Sequence, residues 1–77
     1  MTTEEFYKEL DSMLQLAPGT ITGHESLKDF PGWDSLALLL FIDMVELKLA
    51  LIVEAANLVK CETVSDLVKV CEGRINP

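Results

Sequence analysis

Seventy-seven residues make a single domain, residues 1–77, too short for two domains or for a conventional enzyme with its own substrate pocket. With 49% apolar residues the chain is not disordered by composition. Six basic against 13 acidic side chains leave a net charge of −7, which a nucleic acid would repel and a basic protein surface would attract.

The N-terminal Met-Thr-Thr-Glu-Glu is acidic and polar and is no signal or transit peptide. Thr2 followed three residues later by Glu5 is a capping-box pattern, and Phe6, Leu10, Met13 and Leu14 then share one face at helical spacing. Glu4, Glu5 and Glu9 sit in the half of this first helix where its dipole favours negative charge. Pro18-Gly19 is the expected stop. Residues 17–33 hold two prolines, three glycines and no clear period; so long a connection is unusual in a small domain and often functional. Ile21, Leu27, Phe30 and Trp33 are expected to pin it to the core, and His24, the one histidine, to face solvent.

Asp34-Ser35 opens the second helix, because Asp is a good N-cap and Pro31-Gly32 breaks anything before it. Phe41, Ile42, Val45 and Leu49 make an inward stripe that Leu38 extends. Leu36, Leu39, Leu40 and Leu47 are left over, so this helix is either covered on two sides or displays an apolar patch. The run from Leu36 to Val53 is almost long enough to span a membrane, but Asp43, Glu46 and Lys48 lie at its middle. Its 12 Leu, Ile, Phe and Val residues would return roughly 4–7 kcal/mol on insertion, which those charges cancel, so no span is expected.

Around residues 50–60 the pattern is broken, and Leu58-Val59 between Asn57 and Lys60 reads as a brief third helix. Thr63 and Asp66 form a second capping pattern, with Val64, Leu67, Val68 and Cys71 on the apolar face of a fourth helix that Gly73 and Pro77 end. Cys61 and Cys71 lie ten residues apart; along one helix that is roughly 15 Å, beyond disulfide reach. Without a C-x-x-C or a neighbouring histidine they are no metal site, and both read as small core residues in a reducing, cytoplasmic compartment. No repeat or plausible strand pair occurs. The fold class is all-α: a four-helix bundle with a long loop between helices one and two and a short third helix.

Chemistry points to Ser35. A hydroxyl at a helix start lies beside the positive end of the helix dipole, where an attached phosphodiester is tolerated, although serine there commonly serves as a cap. A serine hydrolase would need Ser35 with His24 and an acid such as Asp29, but the Gly-x-Ser-x-Gly elbow is absent.

Gly32-Trp33-Asp34-Ser35-Leu36 resembles the Asp-Ser-Leu attachment motif of acyl carrier proteins. The acidic first helix, the long loop, the motif at the mouth of the longest helix, the short third helix and Thr63-Val64-Ser65-Asp66-Leu67 agree with that family in order and spacing, over about residues 3–75. The resemblance implies that Ser35 receives 4′-phosphopantetheine covalently from coenzyme A, and that the arm's thiol carries an acyl group as a thioester. The protein is then a carrier and not an enzyme. The resemblance further implies that Asp34 helps a phosphopantetheinyl transferase and its metal ion engage the site, and that Leu36 packs near the arm's root. By the same resemblance the second helix docks onto partners (acyl or aminoacyl ligases, synthases or acyltransferases), and the groove beside helices two and three shelters the acyl chain.

The second helix departs from the family's pattern. Fatty-acid carriers show several acids along its exposed face, whereas the matching positions here are Ala37, Leu40, Asp43, Glu46 and Leu47. A specialised carrier with more apolar docking partners would fit, as would burial of Leu40 and Leu47 against helix three or the loop. Trp33 before Asp34 also occurs among peptidyl and polyketide-type carriers, so an aminoacyl carrier is the nearest rival, and a cofactor-free helical interaction module the rival outside the family. A start at Met1 and an end soon after helix four suggest a free-standing protein, and a monomer is expected.

Overall fold

Thr2 and Glu5 close the start of the first helix reciprocally. The Thr2 hydroxyl oxygen accepts from the Glu5 N–H at 3.1 Å, and the Glu5 carboxylate accepts from the Thr2 N–H at 2.9 Å. The computed structural model describes residues 1–77, with helices α1 (Thr3–Met13), α2 (Ser35–Leu49), α3 (Ala55–Leu58) and α4 (Val64–Val70) and a 3-10 turn at Leu27–Asp29 inside the long α1–α2 connection. The architecture is the expected all-α one.

The first helix ends earlier than Pro18-Gly19 suggests. Gln15 adopts the left-handed conformation, with φ of 58°. Its N–H donates to Ser12 O at 3.1 Å, and the Leu16 N–H donates to Asp11 O at 2.7 Å. This is a Schellman motif with glutamine where glycine is usual. Three of the four residues expected on the inner face of α1, Phe6, Leu10 and Leu14, are buried, while Met13 is half-buried.

Three of the four residues expected on the inner face of α2, Phe41, Val45 and Leu49, are buried, and Ala37 takes the place of Ile42. Ala37, Phe41, Val45 and Leu49 are buried at i, i+4, i+8 and i+12, and Leu38 and Ile42 only flank them. A small residue at 37 lets the first turn approach the core closely. Phe41 then meets Phe6 edge-on at 6.0 Å between ring centroids and Trp33 at 6.1 Å. Leu58 of α3, Val64 and Leu67 of α4, and Cys71 just beyond it complete the core. Burial, with Cys61 nearby, pushes the Cys71 thiol up to about 11, so it behaves as an inert apolar group. Cys61 differs from the expectation: it is half-buried, free and at the molecular surface.

The long connection has little regular structure, and it is fixed by hydrogen bonds at both ends. Asp11, 3% exposed, accepts from the N–H groups of Gly19 at 3.0 Å and Ile21 at 3.1 Å. Farther on, the Leu27 N–H donates to Glu62 O at 2.8 Å, the Val64 N–H to Glu25 O at 3.1 Å, and the Ser65 hydroxyl to Gly23 O at 3.0 Å. Ile21 and Leu27 are buried beneath it; Phe30 and Trp33 are half-buried. Gly23 sits at φ of +113° against Tyr7, where a Cβ would collide with the phenol oxygen. Arg74 caps the far end of α2 by donating to Leu49 O at 2.8 Å. The strands of chain at the two termini pair through Thr3 N–H to Asn76 O and Asn76 N–H to Met1 O. No helix is long and apolar enough to cross a membrane.

Candidate functional site

The pinned loop delivers Trp33, Asp34 and Ser35 to the start of α2. Asp34 is extended, at φ of −128° and ψ of −170°, and its carboxylate accepts from the Ala37 N–H at 3.0 Å. Capping is therefore done by Asp34. Ser35 is the first helical residue, exposed, and its hydroxyl is not the cap. The common structural role for a serine at a helix start is thus filled by its neighbour, and the Ser35 hydroxyl is available for chemistry.

Beside it opens a cleft of about 670 Å³ between the 3-10 turn, the start of α2 and the segment from α3 to α4. Leu27, Trp33, Leu38, Leu58 and Val59 supply its apolar surface; Lys28, Asp34, Ser35, Cys61 and Glu62 reach its rim and walls. It lies beside α2 and α3, where the resemblance leads one to expect a groove. Its size and mixed lining are those of ligand clefts in general. The cysteine read as core is part of this lining, and burial and the Asp66 carboxylate hold its thiol above the ordinary range.

The other sequence-stated residues divide between faces. Leu36 does not line the cleft with Ser35. It stands 64% exposed over a second, smaller hollow of about 190 Å³ with Met13, Gly32 and Leu40, and Asp34 borders both. A step of one residue turns a helix by about 100°, which separates the two neighbours. Leu40, Asp43, Glu46 and Leu47 are all exposed on the outside of α2, Leu47 at 85%. The leucines are therefore displayed rather than covered by the loop or α3. Ala37 is a correction: at 3% exposed it belongs to the core and cannot contact a partner. The cause is that the inner stripe runs one turn farther back than expected, which puts position 37 in line with Phe41 and Val45.

His24 and Asp29 are exposed, and neither lines the cleft with Ser35, so the hydrolase constellation does not form. No three His, Cys, Asp or Glu side chains come together to hold a metal ion. Sequence reasoning missed Asp11, the buried anchor of the loop. Its only signal was an acid at i+1 from Leu10 on an apolar face, which periodicity reads as a boundary position.

A family model described as phosphopantetheine attachment site matches residues 5–71. The chain belongs to that family. No curated protein and no solved structure matches it. The family's prosthetic group is 4′-phosphopantetheine, bound covalently. The residues here fit it: an exposed hydroxyl free of capping duty, at a helix start whose dipole favours a phosphodiester, opens onto a cleft with apolar walls. Members of this family are carriers, modified by a phosphopantetheinyl transferase and used by biosynthetic enzymes.

Proposed function

We propose that Ser35 bears the phosphopantetheine arm and that the chain is an acyl carrier protein. It would pass acyl groups between enzymes of fatty-acid, lipid or polyketide-type biosynthesis. The observation that carries this reading is the division of labour at α2: Asp34 makes the cap, and Ser35 keeps an exposed hydroxyl at the mouth of the cleft. When bound, the arm supplies a terminal thiol on which an acyl group rides as a thioester. The chain itself does the rest. In attachment Ser35 Oγ would lose its proton and bond the pantetheine-bearing phosphorus of coenzyme A, while the pyrophosphate P–O bond breaks and adenosine 3′,5′-bisphosphate leaves; Asp34 fixes the backbone so that this oxygen projects outward. Asp34, reaching both hollows, and Leu36, exposed beside it, are the recognition residues for the transferase. Free thiols fit a reducing cytoplasmic setting.

Partner enzymes dock on the outer face of α2 through Leu40 and Leu47, with Asp43 and Glu46 as the acidic flank. That face suits a partner whose own surface is apolar and bordered by basic side chains. Ala37 has no part in it.

The test of attachment is intact-protein mass spectrometry after incubation with coenzyme A and a broad-specificity phosphopantetheinyl transferase. One phosphopantetheinyl addition is expected on the wild-type chain and none on Ser35→Ala. No addition, with the transferase active on a control carrier, would favour a cofactor-free interaction module. Docking is tested by Leu40→Glu, which is expected to leave the fold and the attachment intact while impairing transfer to the cognate enzyme; unimpaired transfer would remove the apolar face from the account.

A further inference from the structure

The cleft beside Ser35 contains one cation. Lys8 pairs with Glu4 at 3.5 Å, Lys48 pairs with Glu9 at 3.3 Å, and Arg74 is committed to Leu49 O. Of the remaining basic side chains, only Lys28 lines the cleft; Lys69 lies in a separate hollow with Ile52 and Glu54. Lys28 has no ion-pair partner within the chain, although Asp34 and Glu62 line the same cleft.

The backbone that carries Lys28 is fixed. Its 3-10 turn is anchored by buried Leu27, by the Leu27 N–H to Glu62 O, and by the Asp29 and Phe30 N–H groups donating to Ser26 O and Leu27 O. A lysine on a tied backbone therefore lines the same cleft as Ser35.

A phosphodiester on Ser35 would add a further negative charge to a chain already at −7, beside two carboxylates. The start of α2 favours that charge but cannot direct it, and a point cation in the same cleft can. We infer that Lys28 is a positioning residue for the prosthetic arm: its ammonium group pairs with the phosphodiester on Ser35 and turns the root of the arm along the cleft. This rests on the reading of Ser35 as the attachment residue. Lys28 touches no reacting atom of the thioester.

The test is phosphorus NMR of the full-length phosphopantetheinylated protein, with Lys28→Met, Lys28→Arg and Lys69→Met beside the wild type. At an ionic strength of about 0.01 M, where charges act over roughly 30 Å, the wild-type phosphodiester resonance should be displaced from that of the same modified protein unfolded in urea. At about 1 M, where the reach is roughly 3 Å, it should move toward the unfolded-state position. Lys28→Met should sit near that end point at both salts, Lys28→Arg should restore the displacement, and Lys69→Met should match the wild type. Identical wild-type and Lys28→Met spectra would overturn the inference, as would equal effects of the two methionine variants. Mass spectrometry of the same samples separates the two readings. An absent addition on Ser35 overturns the attachment reading and this inference with it, whereas a complete addition with unmoved spectra overturns this inference alone.

Discussion

At the start of α4 every hydroxyl is used by the fold; at the start of α2 the hydroxyl is left over. Thr63 Oγ1 accepts from the Asp66 N–H at 3.2 Å, and the Asp66 carboxylate in turn accepts from the Thr63 N–H at 3.1 Å and from the Glu62 N–H at 2.9 Å. Those backbone bonds, from Glu62 and then Thr63, hold the Asp66 carboxyl below the usual carboxylate range. Ser65 is spent on Gly23 O. At α2 the acid stands one residue before the hydroxyl instead of three after it, so Asp34 caps directly and Ser35 has no structural assignment. Order of residues, not composition, distinguishes a closed helix start from one open to modification.

The largest effect is expected where the closed start grips the loop. Gly23→Ala places a Cβ at a left-handed φ and into the Tyr7 hydroxyl. Strain and overpacking together should cost about 2–3 kcal/mol. In a domain of this size that lowers the melting midpoint by roughly 10–20 °C, measurable by circular dichroism. Chain that remains folded should still accept the arm, because nothing at Ser35 has changed; loss of attachment in the folded fraction would mean that the two helix starts are coupled.

Removing either cap should cost about 1 kcal/mol, but only one of them should affect attachment. Thr63→Ala is expected to lower the melting midpoint by several degrees, roughly 4–8 °C, with the rate of phosphopantetheinylation unchanged. Asp34→Ala should lose similar stability and also slow attachment. Asp34→Asn sharpens the contrast: asparagine caps as well as aspartate, so stability should hold within a few tenths of a kcal/mol while the loss of charge slows the transferase. Equal attachment rates for Asp34→Asn and wild type would confine Asp34 to a structural role.

Glu25 offers a pH-dependent version of the same comparison. It is partly desolvated, which alone would raise its pKa, but the Thr22 hydroxyl and the N–H groups of Thr22, Glu25 and Gly23 outweigh this and bring it to about 2 from an ordinary 4.5. The folded state therefore favours the ionised form. Its contribution, on the order of 1 kcal/mol after solvent screening, is complete above about pH 4.5, falls as the pH drops, and is gone below about pH 2. Glu25→Gln should narrow the loss of stability between those two pH values in urea titrations; an unchanged acid limb would show that the turn is not held by this carboxylate.

Much of this was legible before the structure because it depends on local chemistry. The capping boxes at Thr2 and Thr63, the Asp34 cap and the apolar runs that follow are short-range patterns, and each appears where the sequence puts it. What was not legible depends on contacts between distant residues. Asp11 is an acid on an apolar helix whose partners lie 8 and 10 residues ahead in a loop without a period. The end of α1 at Gln15 breaks the preference for glycine, and the bonds that hold it are visible only in three dimensions. The family resemblance puts Ala37 on the outer face, at a position matching an acid of fatty-acid carriers, and only its burial in line with Phe41 reveals it as core. Of the candidate site, Ser35 and Asp34 were readable through the resemblance to the attachment motif, whereas Lys28 and Cys61 join the cleft only because the loop is tied to α4.

The smallest expected effect is also the most discriminating. If the Ser35 hydroxyl has no duty in the fold, Ser35→Ala should not destabilise the unmodified chain. Alanine is the better helix former by up to a few tenths of a kcal/mol, so the melting midpoint should stay put or rise by about 1–3 °C. Thr63→Ala, a deletion of the same hydroxyl chemistry at the other helix start, should fall by several degrees in the same assay. The pair thus reads structural and functional use of one chemical group within one molecule. A Ser35→Ala loss comparable with that of Thr63→Ala would mean that the hydroxyl contributes to the helix start after all. The exposed oxygen would then be shared between the fold and the arm, and attachment of the arm would carry a cost in stability that the present geometry does not require.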